Sequence, residues 1–578
     1  MNDALQQLLD RLTALLAEKP LIGAWYTTVV RFVFPLLALM ILVGAIRSLW
    51  KVKHPDEVWG YLVLCNGVRL PITHWENIIG RAPSCDVQLE YPSVSRQHAA
   101  LIREDDGSWT IYDLGSKGGI KVNDLPVDEY ALVEDGDTVT FAGIPAIMEP
   151  ITAEEKRAQM VERRIEGKPA GMWGSLVLLT LFQILTGLQL IIAQGNEATT
   201  TIPLTFFVFT VICWAYFIVM RLFRRIGFEM ETIAFFLCTL SLAVTGSTVP
   251  DELPKQLIAF LMGLAIFIVL GFFLRDLTRA QKVRWFMSAT AVGLLAITLL
   301  IGSSQGGAKA WLRLGPLSLQ TSEIAKICYI FAGAATLDRL FNKRNLWMFI
   351  GLTAICGGCL ALQNDFGTAL VFFVTFLVIA YLRSGDFATI GLVCAGCFGA
   401  GMVMLTIKPH VAARFASWGH IWEDVYDKGF QQTHTLTAAA SGGMIGVGGL
   451  SNLPAADTDI VFGMLCEEWG LVIAVLTILC IITLAVFAVR ACRAGRSSFY
   501  TIAACAATSL LVFQTCLNVF GAVDILPFTG VTLPFVSNGG SSMLSAWGML
   551  AFLKATDTRQ NASFAVRLPS RRELRGEE

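Results

Sequence analysis

The sequence predicts a polytopic α-helical membrane protein with an all-β sandwich inserted near its start, and three observations carry that class. Hydrophobic residues make up 54% of the 578 positions and charged residues 15%, with a mean hydropathy of +0.60, a balance that belongs to chains whose main solvent is lipid. About thirteen apolar segments reach the ~20 residues needed to cross a hydrocarbon core. Between the first of these and the others, about a hundred residues read as short alternating runs separated by Gly, Asp and Pro, the pattern of half-buried strands.

Six domains or segments follow in order. In residues 1–53, Leu5, Leu8, Leu9, Leu12, Leu15 and Leu16 share one helical face, which predicts a helix lying on the membrane surface. Because that polar stretch precedes the first apolar run, the start does not read as a secretory signal peptide. The first span covers about Thr28 to Trp50, with Arg31 expected to snorkel towards its outer end. Residues 54–150 form the β unit, with runs such as "YLVLCNGV", "SWTIYDLG" and "DTVTFAG". In residues 151–171, "EEKRAQMVERRIEGK" predicts a solvated helical linker. Residues 172–228 hold two additional spans, residues 229–556 a larger helical core, and residues 557–578 a basic tail.

The formal net charge is -1 and the basic residues are dispersed in short clusters, which excludes a nucleic-acid partner. Those clusters fall in alternate connections: Arg221, Arg224 and Arg225; Arg275, Arg279, Lys282 and Arg284; Arg339, Lys343 and Arg344; Arg383; Arg490, Arg493 and Arg496. Arg567, Arg571, Arg572 and Arg575 complete the series. The positive-inside rule then predicts a multi-pass protein of the cytoplasmic membrane, its β unit and C-terminus inside and its N-terminus outside. Gly306 to Glu323, Gln363 to Thr368, Lys408 to Asp459 and the helix-breaking "LPFTGVTLPFVSNGGSS" are thereby gathered on the outer face. The 14 cysteines lie mostly inside apolar segments and predict no disulfide framework. Cys356/Cys359 and Cys394/Cys397 read as small residues at helix contacts rather than as metal or redox pairs.

A charge at mid-bilayer costs about 2.5 to 3.5 kcal/mol on insertion scales, so Glu323, Lys326, Asp365, Glu467 and Glu468 are site candidates. Glu323 and Lys326, three apart on a helix, suit either a structural ion pair or a substrate contact. "LPAADTDIVFGMLCEEWGLVIAV" sets Asp457, Asp459, Glu467 and Glu468 at the entrance and upper turns of an apolar run. Asp459 is placed to meet a water-soluble reactant, and Asp457 would raise its proton affinity through like-charge repulsion. Such a carboxylate suits a general base acting on a hydroxyl; "DTD" before an apolar run is equally a helix cap. Glu467 is expected roughly 12 Å deeper at helical rise, too far to share the task.

Within the β unit, "IIGRAPSCDVQLEYPSVSRQHAALI", "DLGSKGGIKVND" and "VEDGDTVTFAG" occur in order. This resembles the forkhead-associated (FHA) domain over about Glu57 to Met148. The resemblance implies a β-sandwich whose loops bind phosphothreonine peptides, here from a cell-wall or division protein. Arg81 and Arg96 suit charge-assisted hydrogen bonds to a phosphate and the Ser95 hydroxyl a third, while His98 is expected to brace the loop. Where the family commonly reads Ser-Thr-Asn-Gly-Thr, this chain has Ser116, Lys117, Gly118, Gly119 and Ile120. The asparagine that grips the peptide backbone is absent, and Lys117 is the substitute phosphate contact. A domain that holds a partner without phosphate is the alternative.

Residues from about Glu231 to Lys554 carry "GAKAWLRLGPLSLQTSEIAK", "QNDFGTAL", "FQQTHTLTAAASGGMIGVGGL", "LPAADTDIVFGMLCEEWG" and "GAVDILPFTGVTLPFVSNGGSS". Together these resemble the SEDS family, which includes FtsW, RodA and SpoVE. The resemblance implies an inverting glycosyltransferase that polymerises lipid II into peptidoglycan, partnered by a class B penicillin-binding protein. It implies that Asp459 deprotonates the acceptor hydroxyl. Lys309, Arg313, Lys326 and Arg414 are then the cations available to the leaving diphosphate, Gln431 and Asp365 position sugar and diphosphate, and Glu467 and Glu468 orient polar groups beneath the base. Glu323 belongs to the same substrate-binding set. No cofactor is called for with certainty, a divalent cation being the open alternative to basic side chains at the diphosphate. The family pattern is broken at Ala310 (usually arginine), Val447 (lysine), Asp457 (histidine) and Asn538 (tyrosine), and "QPSE" and "QPDLG" become "QTSE" and "QNDFG". Two alternatives stay open: a transporter of lipid-linked precursors, which would need polar groups reachable from both faces, and a scaffold that recruits phosphorylated cell-wall proteins.

Overall fold

The computed structural model describes residues 2–51, 57–83, 85–104, 107–166, 168–169, 171, 173–305, 308–314, 317–336, 343–384, 387–450, 458–492, 494–559 and 561–566. Asp457, Arg339, Arg493, Arg567, Arg571, Arg572 and Arg575 lie outside the described residues.

Helices α1 (Asn2–Glu18) and α2 (Pro20–Lys51) open the chain. The β unit follows with β1 (Gly60–Leu64), β2 (Arg69–Ile72), β3 (Glu76–Gly80), β4 (Val87–Gln88), β5 (Ala99–Arg103) and β6 (Trp109–Asp113). It is completed by β7 (Ile120–Val122), β8 (Leu125–Pro126), β9 (Tyr130–Val133), β10 (Thr138–Phe141) and β11 (Ile144–Pro150). They form a six-stranded sheet in the order β2-β1-β11-β10-β7-β8 and a five-stranded sheet in the order β4-β3-β5-β6-β9. Side chains of alternating positions, among them Leu62, Ile72, Ile79, Leu101, Ile111, Phe141 and Met148, pack between the sheets, as the two-residue period of a pleated strand requires. The linker is helical, α3 (Ala153–Glu166), and its Glu155 pairs with Arg69 of β2 at 3.0 Å.

The helical body comprises α4 (Trp173–Gln194), α5 (Thr201–Leu222), α6 (Glu229–Thr248), α7 (Leu253–Phe273), the short α8 (Leu277–Lys282) and α9 (Arg284–Ile301). After a short β segment come α10 (Thr321–Thr336), α11 (Lys343–Leu362), α12 (Phe366–Ser384) and α13 (Phe387–Ile407). The chain ends with α14 (Pro409–Ser417), α15 (Phe430–Gly442), α16 (Val461–Met464), α17 (Leu471–Cys492), α18 (Ser498–Ala522) and α19 (Gly540–Thr556). Among the described residues, ten helices are long and apolar enough to cross a membrane, and Leu346–Leu362 is a shorter apolar one. The about thirteen apolar segments of the sequence also include α10 and α19, at 16 and 17 residues. These two carry Glu323, Lys326 and Lys554, and lie where protein rather than lipid meets them. A helix apolar on every side belongs in the middle of a bundle, and α6 is buried from Glu229 to Ser247.

Two acids near the start of α6 are neutralised there. Lys554 of α19 meets Glu231 at 2.9 Å, and Arg559 meets Glu229 at 3.0 Å and Asp557 at 2.8 Å, with all five side chains almost fully buried. Pairing is what makes charges tolerable in such surroundings.

Between α9 and α10, β12 (Ser303–Gln305), β13 (Ala308–Leu314) and β14 (Leu317–Gln320) form a three-stranded antiparallel sheet. One stretch differs from the sequence reading. The run that carries the acids is not one helix. After α16, residues Leu465–Trp469 form a π turn and Gly470, at φ 90°, breaks the chain before α17. Crowding explains the break: a Cβ on Gly442 would lie 1.9 Å from the Cys466 carbonyl oxygen, and one on Gly446 2.3 Å from that of Glu468. Backbone this close leaves no room for a regular helix beside it.

Candidate active site

Helix α18 organises the site through two amides one turn apart, about 6 Å of rise. Gln514 accepts from Lys326 Nζ at 3.0 Å and donates to the carbonyl and hydroxyl of Thr532 at 2.9 and 3.1 Å. Asn518 donates to the Asp459 carbonyl at 3.0 Å and the Val531 carbonyl at 2.8 Å. A helix amide away from water has to find partners, and these two tie a spanning helix to the irregular loop 523–539.

Asp459 is half-buried in a turn just before α16. Ser537 donates to the carbonyl of the preceding Thr458 at 2.7 Å, so loop and turn are stitched on both sides of the aspartate. Its carboxylate faces Gly530, where a Cβ would stand 3.5 Å from Asp459 Oδ2. Arg414 of α14 reaches the same place, with Nη1 at 3.5 Å from the Thr529 carbonyl. Base candidate and cation thus share the 529–530 edge.

Below, Lys326 is paired with Glu323 at 2.7 Å, both almost fully buried. Glu323 Oε2 and Asp365 Oδ2 are buried with no hydrogen-bond partner among the described residues, while the Thr368 amide donates to Asp365 Oδ1 at 3.1 Å. Burial pushes the Asp365 carboxyl above its usual range; the hydrogen bonds from Thr368 and the charge of Lys326 pull it back, and Glu323 opposes them. Unmet acceptors around a buried ammonium make a place that hydroxyl or amide donors would fit.

The other candidates spread out. Lys309 spends its ammonium on the Leu299 and Leu300 carbonyls at 2.8 and 3.2 Å, where a cation suits the C-terminal end of α9. Its amide donates to Gln363 O at 2.8 Å, beside the Asp365 turn. Arg313 is exposed on β13, and Gln431 is half-buried in the first turn of α15. Glu468 is buried and accepts from the Ser247 hydroxyl, and Glu467 is half-buried next to it. Among the described residues no group of three or more His, Cys, Asp or Glu is placed to hold a metal ion. Sequence reading missed Gln514 and Asn518, although an amide within an apolar span was the available signal.

At the β unit, His98 is fully buried, accepts from the Ser95 amide at 3.1 Å and lies 3.1 Å from the Gly119 carbonyl. It braces the loops. The Ser95 hydroxyl accepts from the Lys117 amide at 3.1 Å, and the Arg81 amide donates to Ser95 O at 3.0 Å, so Arg81, Ser95, Arg96 and Lys117 lie on adjoining loops. Gly80 is required there, because a Cβ would fall 2.4 Å from the Arg96 carbonyl oxygen. Gly80→Val is expected to lower the unfolding temperature of the β unit and to abolish peptide binding, read by calorimetry and by titration with a phosphothreonine peptide.

The profile of the FtsW/RodA/SpoVE family, described as cell cycle proteins, matches residues 215–562. This chain belongs to that family. An FHA domain profile matches residues 77–142. A Pseudoalteromonas translucida protein named "Probable peptidoglycan glycosyltransferase FtsW" is 30% identical over 324 residues, 52% of this chain and 81% of that protein. The Mycobacterium tuberculosis H37Rv "Peptidoglycan glycosyltransferase RodA" is 31% identical over 326 residues, 52% and 69% respectively. A chain solved in a peptidoglycan synthase complex is 27% identical, with a TM-score of 0.47 over 57% of this chain and 96% of its own length.

In this FtsW/RodA/SpoVE protein the departures from the family pattern have positions. Asn538 donates to Glu252 at 3.2 Å, and Ala310 is buried in β13. Next to Val447, Gly448 lies against α2: a Cβ there would be 2.6 Å from Thr27 and 3.4 Å from Arg31 Cδ. Gln189 of α4 donates to Gly448 O at 2.7 Å. Arg31, half-buried, therefore packs on the loop with its Nε buried. A cation of an added helix stands beside the position where the family lysine is missing.

Proposed function

We propose that this protein is a peptidoglycan glycosyltransferase that polymerises lipid II at the outer face of the cytoplasmic membrane, with Asp459 as general base. The observation that carries the reading is the turn at Asp459, fixed through its backbone by Asn518 while its carboxylate stays at the 529–530 edge beside Arg414. Asp459 takes the proton of the acceptor hydroxyl as that oxygen attacks the donor's anomeric carbon. The bond from that carbon to the lipid diphosphate breaks, and the diphosphate leaves with the electron pair. Arg414, Arg313 and Lys326 are the cations to meet its charge, a divalent cation being the alternative, since Lys309 is held by carbonyls. Asp365, Glu323 and Gln431 would position the sugars, and Glu467 and Glu468 the turn beneath.

A transporter is disfavoured because Asp459, Arg414 and the helix breaks gather at one end of the bundle. The basic connections support an inside placement of the β unit and C-terminus, with the N-terminus outside. Arg81, Arg96, Ser95 and Lys117 support binding of a phosphothreonine segment of a cell-wall or division protein, and a class B penicillin-binding protein is the expected transpeptidase partner. The test is reconstitution of the full chain with labelled lipid II and such a transpeptidase. Glycan chains on a gel are expected; passage of lipid II across vesicles without chain formation would favour the transporter. An Arg96→Ala variant is expected to lose affinity for a phosphothreonine peptide about tenfold or more, with equal binding of the unphosphorylated peptide as the contrary result.

A further inference from the structure

The β-sandwich is bonded to the helical body, and the seam encloses a second polar site. Glu57 accepts two hydrogen bonds from the Arg496 guanidinium, at 2.7 and 2.9 Å. Glu76, at the start of β3, accepts from the Ser498 amide at 3.1 Å and from the Ser497 and Ser498 hydroxyls, capping α18, as an acid at a helix N-terminus should. Beside this junction is an open cavity of about 170 Å³, lined among others by Trp75, Arg275, Arg496, Tyr500, Thr556 and Thr558. One water needs only about 10–15 Å³ on the same measure, so the space suits a much larger group.

Among the described residues the lining contains two arginines and no acid. Arg496 is shared with Glu57, but the Arg275 side chain has no hydrogen-bond or ion-pair partner among the described residues. A third guanidinium stands near: Arg225 donates to the Ser563 and Val566 carbonyls, and burial, with the charge of Arg275, pushes its pKa down to about 10. The indole N–H of Trp75 is buried without an acceptor among the described residues. Surplus positive charge, an unused donor and free volume coincide where α7, α18 and α19 end against the sandwich.

We propose that this cavity binds a phosphate-bearing anion, held by the Arg275 and Arg496 guanidiniums and the Trp75 indole, so that the ligand bridges the β-sandwich and the helical body. Charge-assisted hydrogen bonds from arginine suit phosphate in particular. Its sources are an anionic phospholipid headgroup, available at the surface where spanning helices end, or a dissolved phosphate. The site is separate from the Arg81 loops and does not depend on the polymerase reading.

The test uses the full chain in nanodiscs of phosphatidylcholine alone, of phosphatidylcholine with phosphatidylglycerol, and of phosphatidylcholine with added inorganic phosphate. Thermal unfolding and native mass spectrometry are the readouts. One anionic condition is expected to raise the unfolding temperature of the wild type, and retention of the ligand is expected to fall about tenfold or more in Arg275→Gln. Arg275 is exposed, so this variant should fold, and Arg275→Lys should retain part of the binding. Protection by phosphatidylglycerol alone identifies the lipid, and protection by inorganic phosphate identifies a soluble ligand. No protection of the wild type, or equal protection of wild type and Arg275→Gln, overturns the proposal.

Discussion

Asp459→Asn is expected to reduce glycan chain formation from labelled lipid II by about a hundredfold or more, the contribution typical of a positioned base, while leaving the unfolding temperature unchanged. The second half of that expectation comes from the geometry. The bond that pins the turn goes from Asn518 to the Asp459 backbone carbonyl, and the neighbouring one from Ser537 to the Thr458 carbonyl. An asparagine side chain disturbs neither. It keeps the volume at Gly530 and replaces the carboxylate that would accept the proton by a neutral amide. Asp459→Glu keeps the carboxylate but pushes it against Gly530, so weak activity is expected. Unchanged chain formation by Asp459→Asn at matched expression would remove Asp459 as the base and leave the cap reading of "DTD". A loss of activity together with a lowered unfolding temperature would mean that the side chain holds the turn together.

The same site shows what the sequence makes legible. The β unit and most of the spanning helices could be read from periodicity, because alternation and long apolar runs report directly on which faces are buried. The acids could be listed for a similar reason: a charge in an apolar run is costly wherever it ends up. Direction was not legible. Lys309 counted as a cation for substrate, yet its ammonium faces the carbonyls of α9, which only the register of β13 determines. The break at Leu465–Trp469 was hidden too, since "VFGMLCEEWG" has helical composition. What ends the helix is the approach of the Gly442–Gly448 backbone. The glycines of "SGGMIGVGG" announced a close approach without naming the partner. Arg31 is a similar case: its sequence position marks it as costly, but the loop it packs on lies more than four hundred residues away in the chain.

Lys326 is where structural and chemical readings can be separated. Replacing it alone, Lys326→Met, leaves Glu323 as an uncompensated buried carboxylate whose Oε2 already lacks a partner among the described residues. Breaking a buried pair in this way costs about 3–5 kcal/mol, so the variant is expected to unfold at markedly lower temperature in detergent and to form no glycan chains. That result alone would not distinguish a folding defect from a lost substrate contact. The double variant Glu323→Gln/Lys326→Met does distinguish them, because replacing both members of a buried pair by neutral groups of similar size is often neutral for stability. Gln514 would lose one donor and keep its two bonds to Thr532. The double variant is therefore expected to recover most of the unfolding temperature. If the ammonium also meets the departing diphosphate, chain formation stays at least about tenfold down, the worth of one charge-assisted hydrogen bond. Full recovery of activity along with stability would assign the pair to the scaffold and leave Arg414 and Arg313 as the cations of the reaction.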